Sequence, residues 1–314
     1  MNILITGVAG FIGSWTAKEL CKQGHNIVGI DDFNNYYNPK FKEENLKGVK
    51  VKLYKEDIRN FDSLKKVFSD NKIDTIVHLA AMVGVRTSII NPFIYEEVNV
   101  RGTLNLLELA KQNNIKKFVF ASSSSVYGDQ DKVPFSEEDF TNSQISPYAA
   151  TKKSGEILCY TYNSLYNIPT VCVRLFTVYG PFGRPDMAPY KFVDSIAHDK
   201  SIEVYGDGST KRDYTFIADI VCGISKSIEL EVNYEIINLG CGKPVKLKDF
   251  ISTIEKNLGK NASILQKEMQ PGDVKQTYAD ISKAKRLLGY KPMANIEEGL
   301  KIFCEWYMEN RFKE

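Results

Sequence analysis

Asn2-Ile3-Leu4-Ile5-Thr6-Gly7-Val8-Ala9-Gly10-Phe11-Ile12-Gly13-Ser14 is the stretch on which the fold turns. Its apolar run at residues 3–5 reads as a buried strand, and a helical pattern follows over residues 14–23. Between them Gly7, Gly10 and Gly13 permit a tight turn, close approach of a pyrophosphate to the backbone and close packing of helix on strand. The helix start at Phe11 and Ile12 adds amide donors and a favourable dipole. A glycine triplet by itself says little. Here a second strand, residues 26–30, ends at Asp31 and Asp32, where an acid accepts hydrogen bonds from an adenosine ribose and repels a 2′-phosphate. The pattern therefore favours NAD over NADP.

Further strands at 49–54, 75–79, 117–121 and 170–176 alternate with helical patterns at 63–69, 99–112 and 147–166. That alternation predicts an α/β fold with a Rossmann-type doubly wound parallel sheet. After residue 176 the periodicity changes, and shorter elements make a smaller, mainly C-terminal α/β lobe. The expected division is residues 1–175 for the NAD-binding domain with the catalytic residues, and 176–314 for a mainly substrate-binding lobe interleaved with returns to the first domain. A second ligand belongs in the cleft between them.

The strand at 117–121 delivers the run Ser122-Ser123-Ser124-Ser125 to its C-terminal end, where open α/β sheets place their chemistry. Tyr148 and Lys152 are four residues apart, so a helix opened by Pro147 puts them on one face. A nearby ammonium favours the phenolate of a tyrosine, and Ser123 can hydrogen-bond a substrate oxygen whose proton that tyrosine removes. This is the outline of an alcohol-oxidation site, although Tyr-x-x-x-Lys alone is equally compatible with ordinary helix surface. Ala80 and Ala81 follow the strand at 75–79 and are small enough for a cofactor to lie over them. His78, inside that strand, reads as core packing.

Net charge is only +2, with Lys and Arg scattered along the chain, so no nucleic-acid footprint is implied. The six cysteines have no metal-ligand spacing, and no metal site is expected. Their apolar settings suit reduced thiols. The chain opens on a core strand without a basic leader, and no apolar run reaches spanning length, so a cytoplasmic protein away from the membrane is expected.

Taken together, Gly7-x-x-Gly10-x-x-Gly13, Asp31, Asp57-Ile58, Leu79-Ala80-Ala81, Asn99, the serine run before Val126-Tyr127-Gly128, Tyr148-x-x-x-Lys152, Arg212-Asp213-Tyr214 and Asp219 resemble one family along nearly the whole chain. It is the extended short-chain dehydrogenase/reductases that rework nucleotide sugars. The resemblance implies bound NAD, contacted by Gly7, Gly10, Phe11, Ile12, Gly13, Asp31, Asp57, Ile58, Leu79, Ala80, Ala81, Asn99, Tyr148 and Lys152. It makes Tyr148 the base and later the acid at the sugar C4 hydroxyl, with Lys152 lowering its pKa and Ser123 bonding the C4 oxygen.

Segments 34–37, 177–187, 270–274 and 278–280 are most similar to the branch that inverts C4 of UDP-hexuronic acids, UDP-glucuronate to and from UDP-galacturonate, through a transient 4-keto sugar. In that resemblance Ser123, Ser124, Ser125 and Thr177 surround the uronate carboxylate and Arg184 adds positive charge. Arg212, with Arg86, meets the diphosphate, and Asp273 the uridine ribose. Epimerisation of neutral UDP-sugars is the alternative, and decarboxylation of UDP-glucuronate a lesser one. The 4,6-dehydratases carry an Asp-Glu pair where this chain has Ser124-Ser125, whose hydroxyls cannot serve as acid and base for water loss. The resemblance implies a homodimer; the apolar faces of the helices at 99–112 and 147–166 fit pairing with their copies, and burial within one subunit explains them equally.

Overall fold

The computed structural model describes residues 1–269 and 274–312. In chain order its first half contains β1 (Asn2–Thr6), α1 (Phe11–Lys22), β2 (Asn26–Ile30), α2 (Lys40–Asn45), β3 (Lys52–Tyr54), α3 (Phe61–Ser69), β4 (Thr75–His78), α4 (Val85–Ile90), α5 (Pro92–Tyr95), α6 (Gly102–Gln112), β5 (Lys117–Ser123), α7 (Pro147–Tyr166) and β6 (Thr170–Leu175). The second half adds β7 (Thr177–Tyr179), α8 (Ala188–Ala197), β8 (Ser201–Tyr205), β9 (Lys211–Arg212), β10 (Tyr214–Phe216), α9 (Ile217–Glu229), β11 (Tyr234–Leu239), β12 (Val245–Lys246), α10 (Leu247–Leu258), β13 (Ser263–Lys267), α11 (Ser282–Leu288) and α12 (Ile296–Asn310).

Seven parallel strands form one sheet in the order β11-β6-β5-β4-β1-β2-β3. The order reverses between β1 and β4, and ligands of doubly wound sheets bind outside the strand ends at that point. Strand alternation sorts the core into two layers. Ile3, Ile5, Val77, Val119 and Val171 face α1, α9 and α11, while Leu4, Ile76, Phe118, Phe120 and Cys172 face α3, α6 and α7. A third cluster, built on Phe192, Val193, Phe250, Ile254, Phe303 and Tyr307, holds α8, α10 and α12 together with β8.

Helix α7 starts where its local chemistry predicts. Ser146 Oγ accepts from the Ala149 amide at 3.2 Å, Pro147 takes the first helical position, and Asn167 ends the helix in a left-handed conformation at φ 55°. Gly155 lets it lie close on β5, because a Cβ there would stand 2.3 Å from Phe120 Cζ.

Four elements depart from the sequence expectation. Residues 84–86 read as a loop, but α4 starts at Val85 and α5 follows at Pro92, both too short for periodicity to register. The helix expected over 99–112 is entered through a π-helical turn, Glu96–Arg101. β13 carries no alternation signal because every residue in it is exposed; it is held by parallel pairing to β8.

Candidate active site

The glycine turn is sterically obligatory. Gly7 has φ +69°, and a Cβ on Gly13 would lie 2.0 Å from the Gly7 carbonyl oxygen. No side chain caps the N-terminus of α1, leaving its first amides at the cavity edge. Asp31 is buried at the end of β2, with Oδ2 accepting from the Ala9 amide at 3.0 Å and Oδ1 from the Phe33 amide at 2.9 Å. Burial pushes its carboxyl up in pKa, and Lys42, 3.7 Å away on α2, with those two amides pulls it back. Lys42 is itself buried and also bonds Asn34.

Asp57 lines the cavity with its carboxylate tied to Arg59 through contacts at 2.9 and 2.6 Å. Burial acts to raise that carboxyl, but the Arg59 bonds hold it below its ordinary value. Ile58 is a core residue that also reaches the cavity. Asn99 is buried behind the wall. It exchanges hydrogen bonds with the Met82 backbone at 2.7 and 2.9 Å and donates to Thr151 Oγ1 at 3.0 Å, so it fastens the Ala80-Ala81-Met82 strip to α7.

Ser123, Tyr148 and Lys152 meet at the end of β5. The half-buried Tyr148 phenol lies beside the Ser123 hydroxyl. Burial raises its pKa; the Ser123 hydroxyl and the Arg184 charge oppose that, and Tyr36 adds to it. Lys152 donates to the Ala121 carbonyl at 2.7 Å and lies 5.1 Å over the Phe120 ring. Burial pushes its ammonium down to about 8. Arg184, which belongs to a different part of the chain, thus joins the site as a positive charge that lowers the phenol's pKa.

Beyond the tyrosine, Ser124, Ser125, Thr177, Arg184 and Arg212 all line the same cavity, of about 490 Å³. Ser125 donates from both its amide, at 3.2 Å, and its hydroxyl, at 2.9 Å, to Ser123 Oγ. Arg184 forms a two-pronged pair with Asp186 and sits 5.7 Å over the Tyr36 ring. Tyr95 packs edge-on to Tyr148 at 6.3 Å.

Arg86 lies elsewhere, exposed and stacked 4.2 Å over the ring of Tyr205 on β8. Asp273 is outside the described residues. His78 is a core residue, bonded to Thr6 Oγ1 at 2.7 Å and Thr103 Oγ1 at 2.9 Å, with burial pushing its pKa down to about 3. Among the described residues no cluster of His, Cys, Asp and Glu could hold a metal ion. Sequence reasoning missed Lys42 and Tyr95, whose neighbours carry no motif. Only contacts between elements place them here.

A family model described as GDP-mannose 4,6 dehydratase matches residues 4–303. The chain belongs to that family, the extended short-chain dehydrogenase/reductases of the nucleotide-sugar epimerase and dehydratase group. It is 46% identical over 312 residues to the UDP-glucuronate 4-epimerase of Thermodesulfobacterium geofontis, covering 98% of this chain and 96% of that one. The crystal structure of the Bacillus cereus UDP-glucuronic acid 4-epimerase, in complex with UDP-glucuronic acid and NAD, superposes with a TM-score of 0.93 at 39% identity over 98% of this chain and 99% of that one. The UDP-glucose 4-epimerase of Thermotoga maritima, solved with UDP-glucose, also gives a TM-score of 0.93, at 30% identity over the same shares of the two chains.

Proposed function

We propose that this protein is a UDP-glucuronate 4-epimerase, inverting C4 of a UDP-hexuronic acid with NAD as its resident cofactor. The observation that carries this reading is a single cavity lined by the glycine turn, by Ser123, Tyr148 and Lys152, and by a hydroxyl-rich wall of Ser124, Ser125 and Thr177 beside Arg184.

The residues fit the cofactor. A Cβ on Gly7 would press on Ala80 N at 2.8 Å, the uncapped start of α1 offers amides to a pyrophosphate, and Asp31 presents carboxylate oxygens to a ribose. NAD, when bound, supplies the hydride acceptor and donor. Tyr148 takes the proton of the C4 hydroxyl and later returns one, while Ser123 holds the C4 oxygen. Lys152 spends one of its three N–H donors on Ala121 and keeps the others for a nicotinamide ribose and the phenol. Ser124, Ser125 and Thr177 offer neutral donors to a carboxylate. The Asp186 pair keeps Arg184 from acting as an unpaired charge beside the 4-keto acid, which is prone to lose carbon dioxide. Arg212 serves the diphosphate and Asp273 the uridine ribose. Residues 1–175 thus act as the dinucleotide half and 176–314 mainly as the sugar-nucleotide lobe.

Purified protein incubated with UDP-glucuronate and no added NAD is expected to yield UDP-galacturonate in a proton NMR time course, with UDP-glucose left unchanged. Turnover of UDP-glucose alone would move the assignment to the neutral-sugar epimerases. Release of UDP-xylose would mean that the pocket permits decarboxylation.

The proposal includes a cytoplasmic homodimer. No helix among the described residues is long and apolar enough to cross a membrane. Leu104 on α6, and Ile157, Tyr160 and Leu165 on α7, are exposed, and Ile90 and Phe93 beside them are 83% and 79% exposed. Apolar side chains along neighbouring helices want a partner. Light scattering is expected to give twice the chain mass of 35.6 kDa, and Ile157→Asp with Tyr160→Asp to give the single mass. A monomeric wild type would sink the dimer.

A further inference from the structure

Glu156 follows Lys152 by one turn of α7 and Tyr148 by two, is buried, and does not line the cavity. Its Oε1 accepts from Ser122 Oγ at 2.6 Å and Arg174 Nε at 2.8 Å, and its Oε2 from Arg174 Nη2 at 2.9 Å and Lys153 Nζ at 3.2 Å. Arg174 stands on β6 as the register partner of Ser122 on β5. Its guanidinium lies 4.7 Å over the Tyr127 ring, whose hydroxyl donates to Asn238 on β11 at 2.7 Å. One carboxylate therefore ties α7 to β5 and β6, and reaches β11 through the tyrosine.

We propose that the Glu156–Arg174 pair is a positioning device for the reaction, setting how far along β5 the helix α7 sits and hence how Ser123 meets Tyr148; this rests on the epimerase reading given above. Lys152 grips the Ala121 carbonyl and Glu156 grips the Ser122 hydroxyl, so consecutive residues of β5 are fastened to consecutive turns of α7. The next residue, Ser123, is the one presented to the phenol. A buried ion pair is a poor way to gain stability, since apolar side chains of similar volume commonly hold a core as well or better. What it adds is direction, because four charge-assisted bonds tolerate less sliding than an apolar contact. Catalysis is sensitive to such sliding: a displacement of roughly 1 Å at reacting groups can cost about 100-fold in rate.

The test compares Glu156→Gln with the double variant Glu156→Gln/Arg174→Met. The single variant leaves a guanidinium buried without its carboxylate, so its melting temperature drops; the double variant removes that charge and regains most of the loss. The double variant is nevertheless expected to turn over UDP-glucuronate about 10- to 100-fold more slowly, with KM and bound NAD content unchanged. The acidic limb of its log kcat against pH is expected to move upward, because displacing Ser123 from the phenol removes an influence that lowers the Tyr148 pKa. The other groups facing that phenol, Arg184, Tyr36 and Tyr95, are untouched.

Recovery of kcat together with melting temperature, with the limb in place, would show that the pair serves the fold alone. Should the double variant not fold, Ser122→Ala decides. It removes only the link to β5 and leaves the ion pair intact, so a lower kcat is expected in assays well below a melting temperature that falls only modestly, and an unchanged kcat overturns the proposal. A wild type that acts on UDP-glucose instead defeats the substrate reading but not this test, which is then run on that sugar.

Discussion

Tyr148→Phe is expected to bind UDP-glucuronate as the wild type does and to turn it over about 10³-fold more slowly, within the span usual for loss of a positioned acid or base. The ring stays packed edge-on against Tyr95, 6.3 Å between centroids, so the wall of the cavity survives. What disappears is the hydroxyl beside Ser123 that the epimerase reading makes the base for the C4 hydroxyl proton. Calorimetry for binding and the NMR assay for turnover separate the two effects. Substantial residual turnover would remove Tyr148 from its role.

The same phenol dictates the pH dependence. Burial raises its pKa, with Ser123 and Arg184 acting against the rise, so the ionised fraction grows with pH on the acid side of that value. The wild-type rate is therefore expected to climb with pH, by about tenfold per unit where the phenol is mostly protonated. Arg184→Met removes one of the influences that lower the pKa and shifts the limb upward.

Gly13→Ala is expected to yield a folded protein purified without NAD, with dinucleotide affinity reduced roughly 100-fold or more. Its new Cβ would lie 2.0 Å from the Gly7 carbonyl oxygen and 2.9 Å from both Gly7 C and Val8 Cα. All three are backbone atoms of the turn itself, so no side-chain rotation relieves the clash, and the turn has to open. Overpacking of this kind costs about 3 kcal/mol at the upper end of the usual range, which is about two orders of magnitude in a binding constant. Far-ultraviolet circular dichroism checks the fold, and chromatography of nucleotide released on denaturation counts the NAD. A variant that co-purifies with a full complement of NAD would contradict the role of this turn.

Much of this protein was readable from neighbours in sequence. The strand-turn-helix at residues 2–22, the acid that ends β2, and the Pro147 to Lys152 helix start each declare themselves within a dozen residues, because their hydrogen bonds and φ requirements close locally. The same logic marked His78 as core. Tertiary structure decided the rest of the site. Arg184, from the chain after β7, lines the same cavity as Tyr148 and is a second cation whose charge lowers the phenol's pKa, while Lys152 bonds the Ala121 carbonyl. Asp57 is engaged by Arg59, Asn99 braces the wall from behind, and Arg86 reaches Tyr205 instead of the cavity.

Lys42 and Tyr95 carried no signal at all. Which strand ends lie side by side in a parallel sheet is set by crossover connections and long-range packing, and no local pattern in the amino-acid sequence encodes the distances that result.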